Sequence, residues 1–216
     1  MQTIFGDRRQ AGDLLAEALR GLKGEDMVVL GIPRGGVVVA SRVAEALGAT
    51  LDIVVTKKIG APEEPEFAVG AVTQEGEAVL NEEVVKLLGI RESYLKSEAE
   101  RLTAEIRRRM VELRSTRPYP SLRGKTVVIV DDGVATGSTV SAAIKSVRKQ
   151  SPSSVIVAVP VAPPEAVQEL SKEADKVVCL ETPDPFFAIG QFYDDFAQAD
   201  DEQVKAILAG APGSPS

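Results

Sequence analysis

Two adjacent aspartates, Asp131 and Asp132, stand at the end of an uninterrupted apolar run that covers residues 127–130. A loop of small and hydroxylated residues, 133–139, follows them directly. Backbone N–H groups in such a loop can close on an anion, and the hydroxyl groups add further donors. An acid pair beside an anion loop suits a ligand that carries both hydroxyl groups and a phosphate.

The flanking residues indicate where in a fold this pattern would lie. The run 127–130 is β-branched throughout, which is typical of a strand buried on both faces of a parallel sheet. The sequence after Thr139 continues with helical spacing, so the loop would meet the positive end of a helix dipole. Together these elements predict a sugar phosphate site at the carboxyl edge of an α/β sheet. The simpler alternative is a buried strand, a capped turn and two solvated aspartates.

Residues 127–139, VVIVDDGVATGST, resemble the phosphoribosyl pyrophosphate (PRPP) motif of the type I phosphoribosyltransferases. That motif has the same order of apolar strand, acidic pair and small loop ending in Thr-Gly-x-Thr. The resemblance implies a catalytic role for Asp131 and Asp132, which would hold the ribose hydroxyls of PRPP. It assigns the 5'-phosphate to the loop residues Ala135, Thr136, Gly137, Ser138 and Thr139. The pattern DDGVATG is most similar to prokaryotic phosphoribosyltransferases of undefined substrate.

A second loop with ligand-binding features follows an early apolar strand. Paired glycines beside Arg34 would let the backbone approach a ligand closely, with the guanidinium next to it. A tight turn with an exposed arginine fits these residues equally well. The resemblance assigns Arg34, Gly35 and Gly36 to the pyrophosphate-binding loop of the family, which often contains a non-proline cis peptide bond.

Two lysines follow the next predicted strand, which covers residues 51–56. At the carboxyl end of a buried strand, Lys57 and Lys58 would face the ligand edge and could bind pyrophosphate oxygens. The alternative is that the lysines are solvated or pair with the glutamates in 63–66, and for at least one lysine this is the favoured interpretation.

The stretch from 81 to 117 predicts a helical insert. Asn81 can cap a short helix, and a longer helix with one apolar stripe should run from about 91 to about 114. Its opposite face carries acids and bases at pairing distance, so the arginine run is interpreted as a solvated, paired face. An RNA- or phosphate-binding patch is the alternative. Type I enzymes carry a mobile loop here, and this insert is more helical than such a loop.

Aromatic residues are concentrated in a hood-like segment over 181–198, which holds four of the six phenylalanines. Such rings could stack on a planar base or form a small satellite core. The segment resembles the end of purine phosphoribosyltransferases, and this likeness assigns base stacking to Phe186 or Phe187. However, Ala135 stands where hypoxanthine-guanine enzymes have an aspartate, which disfavours a 6-oxopurine. Residues 210–216 are predicted to be disordered.

The amino-acid composition excludes several kinds of catalytic and metal-binding site. The chain of 216 residues has no histidine, which excludes histidine acid-base catalysis and histidine metal sites, and one cysteine, which excludes an internal disulfide. A metal would therefore be a hard cation on oxygen ligands, such as Mg²⁺. The net charge of −7 argues against nucleic-acid binding by the chain as a whole. The sequence shows neither a signal-peptide pattern nor a membrane-spanning run, which predicts a cytoplasmic protein.

We therefore expect one α/β domain over residues 1–216, with a parallel central sheet flanked by helices and a small C-terminal hood. The resemblance implies Mg²⁺-dependent transfer of a 5-phosphoribosyl group from PRPP to a nucleobase-like acceptor, with release of pyrophosphate. Mg²⁺ would be bound mainly through PRPP, with Asp131 or Asp132 reaching it through water. A non-catalytic protein that senses PRPP or a nucleotide is the main alternative. A pyrophosphokinase related to PRPP synthase ranks below it, because the sequence lacks a GxxxxGK[ST] loop. The oligomeric state stays open, with a homodimer as one option.

Overall fold

The central sheet consists of five parallel strands. The computed structural model describes residues 3–22, 26–65, 67–73, 76–115 and 117–211. The strands are β1 (Met27–Gly31), β2 (Thr50–Ile53), β6 (Thr126–Val130), β7 (Ser154–Val161) and β8 (Lys176–Glu181). Their order across the sheet is β2-β1-β6-β7-β8, and all neighbours are parallel. Every residue of β1 and β6 is buried, as expected for apolar strands covered on both faces. The predicted parallel sheet is confirmed.

Helices cover both faces of this sheet. They are α1 (Arg8–Ala18), α2 (Gly35–Leu47), α5 (Ser138–Lys149), α6 (Pro164–Leu170) and α7 (Asp201–Gly210). Side chains of β6 alternate between the two faces: Val128 and Val130 pack in the core that contains α1, α2 and α7, whereas Val127 and Ile129 pack against α5 and α6. Because of this alternation, β6 is packed from both sides in the centre of the fold. Its carboxyl end lies at the edge of the sheet, directly before the acid pair.

A second, antiparallel sheet lies between β2 and β6 in the chain. It contains β3 (Lys57–Gly60), β4 (Ala68–Val72) and β5 (Ala78–Leu80). The predicted strand over 51–56 is wrong at its end, because β2 stops at Ile53 and the chain then leaves the central sheet. Val54 and Val55 are nevertheless buried. The apolar run therefore predicted which residues are buried, although the last of them are not paired in the sheet.

The two helices predicted for the insert are present as α3 (Glu82–Leu87) and α4 (Glu92–Arg114), and the side chain of Asn81 caps α3. Ion pairs within α4 join Arg101 to Glu98 and Arg108 to Glu112, which confirms the paired face. The C-terminal end of α4 is attached to the main sheet through Arg114, whose guanidinium donates two hydrogen bonds to Asp52 of β2.

Residues 3–6, the N-terminal arm, lie against the C-terminal aromatic segment. Phe5 forms a parallel bridge with Tyr193, and the N–H groups of Ile4 and Phe5 both donate to the carbonyl of Phe192. A small apolar cluster forms around this junction. Of the predicted disordered tail, Gly210 is helical and Ala211 is buried, whereas residues 212–216 lie outside the described part. Within the described ranges, no helix has the length and apolar character needed to cross a membrane.

Candidate active site

The acid pair lies where β6 ends, at the carboxyl edge of the central sheet. Asp132 is buried and Asp131 is partly exposed. The Asp132 N–H donates to Asp131 Oδ1 at 2.9 Å, which folds the first carboxylate back over the second residue. Loss of hydration, followed by the neighbouring Asp132 charge, raises the pKa of Asp131 well above its ordinary value. Asp131 therefore holds a proton more tightly than an isolated aspartate does.

The predicted pyrophosphate loop is packed directly against this pair. A Cβ atom on Gly35 would lie 1.9 Å from Asp132 Oδ2, and one on Gly36 would lie 2.7 Å from Asp131 Oδ1. Only glycine fits such an approach, so the two loops that were predicted separately meet at one point. A non-proline cis peptide bond joins Pro33 to Arg34, one bond before the Arg34–Gly35 bond.

The Arg34 side chain points toward α7. Its Nη1 lies 3.8 Å from Oδ1 of Asp201, the first residue of that helix. Asp201 also accepts hydrogen bonds from both terminal nitrogens of Arg109 in the insert, and these bonds lower its pKa. The predicted ligand arginine is thus part of a half-exposed cluster that joins the glycine loop, the insert and α7.

The predicted anion loop leads directly into α5, as expected from the sequence. Gly137 is its N-cap residue with φ 81°, a left-handed conformation that favours glycine. The first-turn N–H groups of a helix lack intrahelical acceptors and can face an anion. A cavity of about 180 Å³ lies at this loop, lined by Asp131, residues 133–140 and Ile189. Asp131, the first residue of the acid pair, therefore shares one cavity with the anion loop.

The two lysines do not lie at the end of β2. Both belong to β3 of the antiparallel sheet, where Lys58 is exposed. Lys57 Nζ lies 2.6 Å from Glu105 Oε1 of α4, so this lysine is paired with the helical insert. The Thr56 hydroxyl donates to the Thr139 carbonyl at 3.3 Å, which keeps the start of β3 near the phosphate loop.

The aromatic residues of the hood-like segment divide into two kinds. Phe186 packs on Phe192 with ring centroids 5.0 Å apart, and it belongs to the small cluster around the N-terminal arm. Phe187 is 74% exposed. The satellite-core interpretation therefore applies to Phe186, and Phe187 is the ring with a free face for stacking.

Sequence reasoning missed two residues that contact Asp132. Arg8 Nε donates to Asp132 Oδ2 at 2.6 Å, and the Tyr193 hydroxyl donates to the Asp132 carbonyl at 2.5 Å. These residues are 124 and 61 positions from Asp132 in the chain. Neither occurs in a motif, because only the pairing of the N-terminal arm with the aromatic segment brings them there.

The parallel sheet, the acid pair after its central strand and the glycine loop against that pair define a phosphoribosyltransferase fold of type I. The chain belongs to this family, since the family model for the phosphoribosyl transferase domain matches residues 7–197.

Known relatives agree with this assignment. The crystal structure of TT1426 from Thermus thermophilus is 49% identical with a TM-score of 0.87, and the match covers 98% of this chain and 100% of that one. Two Mycobacterium tuberculosis proteins, from strains CDC 1551 / Oshkosh and H37Rv, bear the provisional name phosphoribosyl transferase. Each is 43% identical over 205 residues. That match covers 95% of this chain and 46% of theirs, so the chain spans about half the length of these curated relatives.

Proposed function

We propose that the chain transfers a 5-phosphoribosyl group from PRPP to a nitrogenous base and releases pyrophosphate. The observation that carries the proposal is the meeting of three groups at one sheet edge: the acid pair, the glycine loop and the anion loop at the start of α5. Family membership supports the same reaction class.

In this reaction the bond between the anomeric carbon and a pyrophosphate oxygen breaks, and its electron pair leaves with pyrophosphate. A bond from the base nitrogen to the same carbon forms through an oxocarbenium-like transition state, and a proton carried by that nitrogen passes to the departing pyrophosphate or to water. Positioning and electrostatic stabilisation can supply most of the catalysis, so the missing histidines are no obstacle. Covalent catalysis by Cys179 is disfavoured because burial raises the pKa of its thiol to about 11.

We assign the roles as follows. Asp131 and Asp132 accept hydrogen bonds from the ribose hydroxyls. The backbone of Gly35 and Gly36 takes the pyrophosphate, with Arg34 as its cation once it separates from Asp201. The 5'-phosphate binds to residues 135–139, where the helix dipole of α5 favours an anion.

Mg²⁺ fits this site as a metal that arrives with the substrate. No group of three or more acidic, cysteine or histidine side chains could hold a metal among the described residues. The acid pair supplies hard oxygen donors, which suit Mg²⁺ with retained waters. When bound, the ion would neutralise charge on the departing pyrophosphate, with Asp131 or Asp132 contacting it through water.

The acceptor base would enter between the anion loop and the hood-like segment. Ala135 is exposed there and offers no acid to a purine nitrogen, which disfavours 6-oxopurines. Phe187 is the stacking residue that we favour, because its ring is exposed.

The test is calorimetric titration of PRPP in the presence of Mg²⁺. We expect saturable binding by the wild type and its loss in Asp131→Asn/Asp132→Asn. Asp13→Asn/Glu17→Gln removes the same charge from exposed positions of α1 and should bind normally. Absence of binding by the wild type would refute the proposal. After binding is established, release of pyrophosphate with a panel of bases tests the transfer itself.

Binding without any transfer would favour the regulatory alternative. Its nucleic-acid face would have to use the arginines between residues 107 and 114 of α4. Arg108, Arg109 and Arg114 are paired with carboxylates, and Arg107 is exposed. The transferase is therefore the better supported function. A cytoplasmic location and a homodimer stay predictions.

A further inference from the structure

Arg8 connects the acid pair to the aromatic segment. It is the first residue of α1, and Asp7 caps that helix by accepting a hydrogen bond from the Gln10 N–H at 2.7 Å. The cap fixes the direction in which the Arg8 side chain leaves the helix. That side chain is only 11% exposed, and the Asp132 side chain that it meets is 12% exposed.

The guanidinium of Arg8 makes three different contacts. Its Nε donates to Asp132 Oδ2 at 2.6 Å, and its Nη1 donates to the Ala197 carbonyl at 2.7 Å. Its Cζ lies over the Phe196 ring, 3.8 Å from the ring centroid. A planar, multiply donating cation is needed to make all three at once. A lysine could keep only the charge and one hydrogen bond.

Asp132 has particular need of such a partner. It stands beside Asp131, and the backbone of Gly35 approaches so closely that the Cβ of any other residue would overlap its carboxylate. Arg8 is the cation paired with Asp132 within the described part of the chain, and it also acts on Asp131 at longer range. On the main-chain side, the Tyr193 hydroxyl holds the Asp132 carbonyl.

We propose that Arg8 is a positioning residue, which holds the Asp132 carboxylate in the orientation that receives the ribose hydroxyls and couples it to the segment around Phe196. The inference rests on the proposed function, and it assigns to α1 a part in PRPP binding. Without Arg8, the Asp132 carboxylate would be free to rotate and would face Asp131 without compensation.

The experiment compares Mg²⁺-PRPP binding by calorimetry in the wild type, Arg8→Gln, Arg8→Lys and Arg9→Gln. Arg9 is the next residue of the same helix and is exposed, so Arg9→Gln is the matched control. We expect Arg8→Gln to weaken binding at least tenfold, Arg8→Lys to recover part of that loss, and Arg9→Gln to bind like the wild type.

A double-mutant comparison separates positioning from general support of the fold. If Arg8 acts through Asp132, adding Arg8→Gln to Asp132→Asn should cause little further loss of affinity. If Arg8→Gln lowered PRPP affinity by the same factor in the wild type and in Asp132→Asn, Arg8 would act independently of Asp132. That result would overturn the inference. Unchanged or tighter binding by Arg8→Gln alone would also overturn it.

Failure of the inference can be distinguished from failure of the proposed function. A wild type that does not bind PRPP refutes both, whereas normal binding by both the wild type and Arg8→Gln refutes only the role of Arg8. If Arg8→Gln does not fold, Phe196→Leu removes the aromatic face and leaves the ion pair in place. We expect that variant to weaken binding severalfold, and wild-type affinity would count against the coupling.

Discussion

Two arginine–aspartate pairs are well buried within the described residues, and they differ in how much hydrogen-bonding capacity the aspartate keeps. In the pair at the insert, Arg114 and Asp52 are 10% and 0% exposed, and in the pair at the site, Arg8 and Asp132 are 11% and 12% exposed. Arg114 donates to both oxygens of Asp52, at 2.6 and 2.8 Å. Arg8 donates to a single oxygen of Asp132, and its Nη1 is directed at the Ala197 carbonyl instead.

This difference separates a structural pair from the pair to which we assign a role in ligand binding. Asp52 lies inside β2, and one of its oxygens also accepts from the Ile53 N–H, so little of its hydrogen-bonding capacity remains. Asp132 lies after the end of a strand, beside a second carboxyl group and a glycine loop. Burial and charge pairing are similar in both places, so location and unused acceptor capacity are what indicate ligand binding.

The comparison predicts the largest loss of stability at the insert. Arg114→Met should lower the free energy of unfolding by about 3–5 kcal/mol, because it leaves the Asp52 carboxylate buried without a partner. Chemical denaturation measures the loss. Asp52→Val/Arg114→Met should regain part of it, and PRPP affinity should stay near that of the wild type. A double variant as unstable as the single one would contradict this explanation.

Gly35→Ala should have a smaller effect on stability and a marked effect on ligand binding. The added methyl group must displace the Asp132 carboxylate, at a cost of about 1–3 kcal/mol for overpacking. We expect PRPP binding to fall with it in calorimetry. Gly21→Ala is the control, because a Cβ there meets nothing within 4 Å. Normal PRPP affinity in Gly35→Ala would contradict the expectation that the contact between the glycine loop and Asp132 is needed for binding.

Asp131→Asn should make the folded protein more stable near neutral pH. The raised pKa means that the folded state keeps a proton on Asp131 over a range where the unfolded state has lost it. Stability is therefore lost as pH rises from the unfolded pKa, about 3.9, through the folded one. Thermal unfolding across this range should show the loss in the wild type and its reduction in Asp131→Asn. A wild type whose stability has the same pH dependence as the variant would contradict the assignment.

The smallest effect is expected at Lys57. Its pair with Glu105 is partly exposed, with side chains 39% and 32% accessible, so Lys57→Gln should change the free energy of unfolding by less than about 1 kcal/mol. The informative measurement is PRPP affinity, with Lys149→Gln as a control at a similarly exposed lysine. A selective loss of affinity in Lys57→Gln would place this lysine in the pyrophosphate site, whereas unchanged affinity would leave it with a structural role.

The sequence predicted the features of the site that are encoded locally. The apolar run before Asp131, the small loop and the helix after Thr139 are consecutive, so their spacing alone indicates a strand, an anion loop and a helix. β3 was missed because two of its four residues are lysines, which leaves no apolar alternation to detect.

Contacts between distant segments were beyond such reasoning. Arg8 and Tyr193 reach Asp132 only because residues 3–6 pair with the segment after β8. A hydrogen bond across more than a hundred residues leaves no periodic pattern in either segment. The carboxylates could thus be predicted as ligand-binding groups, but the residues that orient them could not.

The pairing of Phe5 with Tyr193 also determines when the contacts around Asp132 can form during translation. Phe5 precedes β1 in the chain, whereas Tyr193, the residue that it bridges, follows β8. Because synthesis adds roughly 5–20 residues per second, the arm must wait on the order of ten seconds or more for its partner. Within a nascent chain, the central sheet can form while Arg8 still lacks Ala197 and Phe196. Binding competence would then be acquired only after Phe196 and Ala197 have been synthesised.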